Sequence, residues 1–177
     1  MRTFAAVLLA SSLVILTFAQ DAANKAASPP TVKPAPPAAP AIPVTAAVVT
    51  APFVLKDGAV SQPAHTDVAG GGKAVFTFTV AKAGNYVIHA IANAPDEDSN
   101  SFFLNIDADP VEPLMIWDLD VTKGFEERIV SWRGNGDQDS DEFKPKVFAL
   151  AAGEHKLIVV GREPGQLKSV SIRPAAN

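Results

Sequence analysis

Three aromatic residues, Trp117, Phe125 and Trp132, each fall at or near the end of an apolar run and beside polar loop residues. Binding a pyranose ring needs that combination. The apolar face of the sugar lies on an aromatic platform, and its hydroxyls meet a rim of hydrogen-bonding groups. Asp118, Arg133, Asn135 and Glu163 are the rim candidates. A Trp at a strand end also reads as packed core, so each aromatic carries both readings.

A second chemistry is written into the most polar stretch, residues 133–142. Asp137, Asp139 and Asp141 alternate as the hard oxygen ligands of a calcium loop do. The match to a helix-flanked calcium loop ends there, because Glu142 stands where a Gly is required and Phe148 where the bidentate Glu belongs. Calcium is therefore a candidate cofactor, and a solvated acidic loop the alternative. Asp96, Glu97, Asp98 and Asn100 form a similar cluster with the same two readings.

Catalytic patterns are sparse. His65, His89 and His155 show no metal-ligand spacing. There is no Gly-x-Ser-x-Gly nucleophile elbow, and Gly72-Lys73 lacks the rest of a phosphate loop. Two carboxylates could flank a glycosidic bond, but spacing along the chain does not place them. Adjacent Arg162 and Glu163 read as a local surface ion pair of little energetic weight. The expectation is a binding protein without catalytic residues, not an enzyme.

The elements that must position these groups are short strands. Phe76–Val80, a turn at Ala83-Gly84-Asn85 and Val87–Ile91 make one strand–turn–strand unit; Val147–Leu150, Ala152-Gly153-Glu154 and Lys156–Val160 make a second. Each Gly sits where a tight hairpin needs a residue that tolerates positive φ, between runs of period two. Further strands are expected at Pro52–Leu55, Phe102–Ile106, Leu114–Trp117, Arg128–Trp132 and Leu167–Ile172, with Gly70–Gly72 as a flexible loop. No segment holds a helical period. The fold class is all-β, an antiparallel β-sandwich.

The order of these features, from Asp98–Asp107 through Met115–Asp118 and the Ala152-Gly153 turn to Gly161–Leu167, resembles the galactose-binding-like jelly-roll sandwich of family 6 and family 35 carbohydrate-binding modules. The resemblance covers residues 52–174. It implies a non-catalytic sandwich that binds glycan. Thr122–Phe125 is similar to the place where such modules present an aromatic, with Phe125 in place of the usual Trp. The loop 161–166 is similar to one that contributes an Asn; Gln166 is the nearest amide here. The resemblance also implies a structural calcium held by a Glu on the first strand and an Asp on the last. Residues 52–55 have no such Glu, and Lys168 stands near the place of the Asp.

The 177-residue chain carries a net charge of −4 and no cysteine. That balance argues against a nucleic-acid groove, and the missing cysteines remove disulfides, thiolate metal sites and a lipid-anchor cysteine. With 47% hydrophobic residues the core alone can hold the domain. Arg2, the apolar run Phe4–Phe18 and small residues Thr17 and Ala19 read as a signal peptide over 1–19, with an uncleaved anchor as the alternative. The run is shorter than the ~20 residues of a membrane span. Residues 20–51 are Ala/Pro-rich and read as an extended spacer or a disordered tail. The expected protein is exported (periplasmic, secreted or at the cell surface) and binds a glycan or polysaccharide, without membrane insertion of the mature chain. A structural sandwich that docks a protein partner is the alternative.

Overall fold

The computed structural model describes residues 40–133 and 144–176. Its strands are β1 (Ile42–Pro43), β2 (Val48–Val49), β3 (Val54–Lys56), β4 (Ala59–Ser61), β5 (Lys73–Val80) and β6 (Gly84–Asn93). There follow β7 (Ser101–Ile106), β8 (Ile116–Asp118), β9 (Glu126–Ile129), β10 (Phe148–Leu150), β11 (Gly153–Gly161) and β12 (Gln166–Pro174). They form two antiparallel sheets. The larger runs β10-β6-β12-β4-β3, with β1 also on β12 and β9 also on β6; the smaller runs β2-β5-β11-β7-β8.

Alternation builds the core. On β5, Ala74, Phe76, Phe78 and Val80 are buried while Thr77 and Thr79 face solvent. Ile88, Ala90 and Ala92 do the same on β6, and Leu157 and Val159 on β11. Between the sheets these meet Phe102, Leu104, Trp117 and Leu167. Each large side chain taken from water there contributes roughly 1.5–3 kcal/mol before entropy is counted. An antiparallel β-sandwich is what the sequence leads one to expect.

Three details differ from the expectation. The paired strand–turn–strand units are not hairpins. β5 lies in the smaller sheet and β6 in the larger, and likewise β10 lies in the larger and β11 in the smaller, so each turn carries the chain across the core. The two units pair with each other instead, Val80 opposite Gly153 and Gly84 opposite Leu150. Gly153 has φ 135°, whereas Gly84 is not among the residues of positive φ. A tight two-residue hairpin occurs elsewhere. Asp57 (φ 52°) and Gly58 (φ 75°) join β3 to β4, with Lys56 opposite Ala59, the Asp-Gly pattern of a type I′ turn.

The second difference is the start of the domain. Ile42 pairs with Val170, Val48 with Val75, and Val44 is completely buried. Strand pairing in the sandwich thus includes residues from Ile42 onward, ahead of the Pro52 at which the resemblance starts. Composition smooths over the apolar residues from Ile42 to Val49, which supply two short strands and the 3-10 turn Val44–Ala46 between them. The signal segment 1–19 and spacer residues 20–39 lie outside the described residues. No helix among those described is long and apolar enough to cross a membrane.

Gly70–Gly72, expected as a flexible loop, is held by close approach. A Cβ on Gly71 would lie 2.2 Å from the Gly161 carbonyl oxygen, and one on Gly72 would lie 2.2 Å from the Phe53 nitrogen. Buried Gln62 ties this region together. It accepts from the Gly72 N–H at 3.2 Å and donates to Thr66 Oγ1 and the Ala64 carbonyl, each at 2.9 Å. Thr66 in turn donates to Gly161 O at 3.1 Å and through its N–H to Arg162 O at 2.8 Å. This network fixes the end of β11, where the site begins.

Candidate functional site

A cleft of about 510 Å³ opens at the end of the smaller sheet. Glu97 and Asn100 reach it from the turn before β7, Asp118 to Val121 from the end of β8, Arg133 from beyond β9, and Arg162 and Glu163 from beyond β11. Sheet register brings these segments together. Ser101 pairs with Asp118 and Phe102 with Gly161, so the start of β7 lies between the ends of β8 and β11.

Two guanidinium–carboxylate pairs form its walls. Arg133 donates from Nε to one oxygen of Asp118 at 2.7 Å and from Nη2 to the other at 2.5 Å. That two-pronged geometry fixes both planes. The Asp118 side chain is only 7% exposed and Arg133 32%. Arg162 donates to Glu163 and, at 2.7 Å, to Ser101 Oγ. Glu163 also accepts from the Asn100 N–H at 3.0 Å. This pair is mostly buried, with 18% and 10% of its side chains exposed, which corrects its reading as a surface ion pair.

The aromatics are elsewhere. Trp117 is 1% exposed, packed on Phe102, and its indole N–H donates to Ile129 O at 3.1 Å. It cannot be a sugar platform, because no face of the ring reaches solvent. Trp132 donates to Leu104 O at 3.0 Å, meets Phe148 edge-on and has the Lys146 ammonium 4.0 Å from its ring centroid. Its indole is a structural strut and its ring face already carries a cation. Phe125 is 42% exposed, with the Lys168 ammonium 5.4 Å from its centroid.

Gln166 is also outside the cleft. It accepts from Asn93 Nδ2 at 2.8 Å, while Asn93 Oδ1 accepts from Thr122 Oγ1 at 3.1 Å. Gln166 and Asn93 are partners on β12 and β6, so they share the outer face of the larger sheet. Farther along that face is a smaller groove of about 290 Å³, where Arg173 grips Glu127 at 3.0 and 2.5 Å and His89 Nδ1 lies 3.1 Å from the same carboxylate. The Arg173 hydrogen bond, above all, holds Glu127 below the usual carboxylate range.

Of the candidates drawn from sequence, the cleft thus unites Asp118, Arg133 and Glu163 and leaves out Trp117, Phe125, Trp132 and Gln166. Asn135, Asp137, Asp139 and Asp141 lie outside the described residues. Glu97 and Asn100, singled out as part of an acidic cluster, belong to the cleft. Asp120 and Val121 were legible only as polar and apolar neighbours of a strand end. Glu127 and Arg173 had no local signal, since each is brought to His89 by a different strand.

No protein-family model matches the sequence, and comparison with curated proteins finds no relative. Solved structures do match. A family 35 carbohydrate-binding module from Clostridium thermocellum superposes with a TM-score of 0.53 at 11% identity, over 76% of this chain and 97% of that one. The chain has the fold of a carbohydrate-binding module. The same fold occurs within two larger enzymes. For an exo-β-1,3-galactanase from Phanerochaete chrysosporium the TM-score is 0.53 at 11% identity, over 76% of this chain. For the isomalto-dextranase of Arthrobacter globiformis it is 0.52 at 10%, over 75%. This galactose-binding-like sandwich spans only 29% and 22% of those enzymes. A likeness at such identities is one of fold, and a fold does not carry its function with it.

Proposed function

We propose that this chain is an exported, non-catalytic glycan-binding module, and that the cleft walled by Arg133–Asp118 and Arg162–Glu163 is its binding site. The observation that carries this is the pre-set orientation of those pairs. Each guanidinium and carboxylate is held by its partner, so donors and acceptors are fixed before a ligand arrives, which lowers the entropic cost of binding. Sugar hydroxyls both donate and accept, and suit a wall of alternating charge. Val121, half exposed at the rim, offers an apolar contact to a ring face in place of an aromatic. A cleft this open binds single sugars weakly, and function then depends on many sites meeting a polymer.

The test is a broad glycan and polysaccharide panel with the full chain, run with calcium and with chelator. A hit that weakens at least tenfold in Arg162→Ala, with folding intact by circular dichroism, supports the cleft. Binding that depends on calcium supports a metal at one of the two acidic stretches, Asp137/Asp139/Asp141 or Asp96–Asp98 with Asn100. Silence across the panel overturns the glycan reading and leaves a sandwich that docks a protein.

A further inference from the structure

The charge of the cleft points to a ligand class, an inference that rests on reading the cleft as a glycan site. Both of its guanidinium groups are engaged, Arg133 by Asp118 and Arg162 by Glu163 and Ser101. Two more carboxylates, Glu97 and Asp120, line the same space. Both are exposed, and neither has a hydrogen-bond or ion-pair partner among the described residues. Four carboxylates against two guanidinium groups leave an excess of two negative charges on the described walls, in a chain whose net charge is −4.

We propose that the cleft selects glycans bearing protonated amines, meaning de-N-acetylated hexosamine units, over neutral glycans and against uronates. An ammonium group entering the cleft meets two carboxylates that have no other partner. A uronate meets the same two as like charges, and any guanidinium it reached would first have to leave its own carboxylate. Neutral sugars make the same hydroxyl contacts without either effect. Exposed ion pairs are individually modest, so two of them favour the amine by about tenfold, and the preference shrinks with salt because both carboxylates are open to screening.

The experiment compares matched oligomers by titration calorimetry on the full chain, at a mildly acidic pH where the amines are protonated. The probes are glucosamine and N-acetylglucosamine hexamers, galactosamine and N-acetylgalactosamine hexamers, and a galacturonate hexamer, alongside whichever neutral glycan the panel returns. The expected result is about tenfold tighter binding of the amine form in at least one pair. Its ratio to the acetylated form should fall toward one in 1 M salt and in the Glu97→Gln/Asp120→Asn variant, whose exposed positions leave the fold intact. Equal binding within both pairs overturns the inference. So does a preference that survives the double variant, or binding of the neutral panel glycan or galacturonate with none of either amine; each leaves the glycan reading standing. No binding of any sugar removes the glycan reading itself.

Discussion

Arg133 binds Asp118 with both arms of its guanidinium, at 2.7 and 2.5 Å, while only 7% of the Asp118 side chain remains exposed. Arg133 follows β9 in the chain and Asp118 ends β8, so one ion pair ties the larger sheet's β9 segment to the edge of the smaller sheet and forms one wall of the cleft.

Removing one partner of such a pair leaves the other buried without compensation. Arg133→Ala should destabilise the domain by about 1–3 kcal/mol, below the full penalty for a buried pair because a third of Arg133 is exposed. Arg133→Lys should recover little, since an ammonium cannot make the two parallel bonds. Urea denaturation of the three proteins measures this; equal stability of the Lys variant and wild type would refute the two-pronged bond as the source.

Trp117 tests where recognition resides. Trp117→Ala removes a packed indole and should cost about 3–5 kcal/mol. Trp117→Phe should fold, losing the bond to Ile129 O, and should bind glycan within twofold of wild type. A large affinity loss in a folded Trp117→Phe protein would return the aromatic to the binding site.

Gly161 holds the site from behind. A Cβ there would lie 2.0 Å from Gln62 Oε1 and 2.8 Å from the Phe53 ring, both part of the packed interior. Gly161→Ala should destabilise by roughly 1–3 kcal/mol through overpacking and also weaken glycan binding, because Arg162 and Glu163 follow directly. A thermal melt and an affinity measurement together check it; loss of stability without loss of affinity would separate this glycine from the cleft.

His155 makes stability depend on pH. Its Nδ1 lies 2.6 Å from Asp107 Oδ2 and its Nε2 3.0 Å from Ala151 O, so both nitrogens face acceptors, an arrangement that favours the doubly protonated imidazolium. The Asp107 hydrogen bond, above all, raises the imidazole from its ordinary 6.5. Burial alone would raise the Asp107 carboxyl, yet bonds from His155 and the Lys156 N–H outweigh it and hold it below 3.8. The histidine's contribution is complete below 6.5 and is lost as pH rises through the raised folded value. The aspartate's is complete above 3.8 and is lost as pH falls through the lowered one. Both are present between those limits. Denaturation midpoints for wild type and His155→Gln should therefore differ most in that window and converge at higher pH; a constant difference would show that His155 acts by packing alone.

Much of the fold is legible along the chain, because alternation is local. Burial at every second residue of β5 follows from Phe76, Phe78 and Val80 standing between threonines, and Asp57-Gly58 announces its own turn. Pairing is not local. The turns near Gly84 and Gly153 look like hairpins because a tight turn and a crossing between sheets need the same short polar break. The choice between them is made by which apolar faces must meet across the core. Val44 shows the same limit at the domain boundary, where a composition that reads as spacer includes a fully buried side chain.

The sequence by itself determined an all-β chain, the position of most strands, and a set of polar residues at strand ends that could serve a sugar. Only the tertiary structure decided which of them share a site. Trp117 and Trp132 went to the core or its margin because an indole gains more from packing and a carbonyl partner than from exposure. The cleft was assembled from Asn100, Asp118 and Glu163, whose meeting is fixed by the register of β7 against β8 and β11, and from Arg133, which reaches Asp118 from beyond β9 of the other sheet. That register depends on contacts between residues far apart in sequence, and no local pattern encodes it.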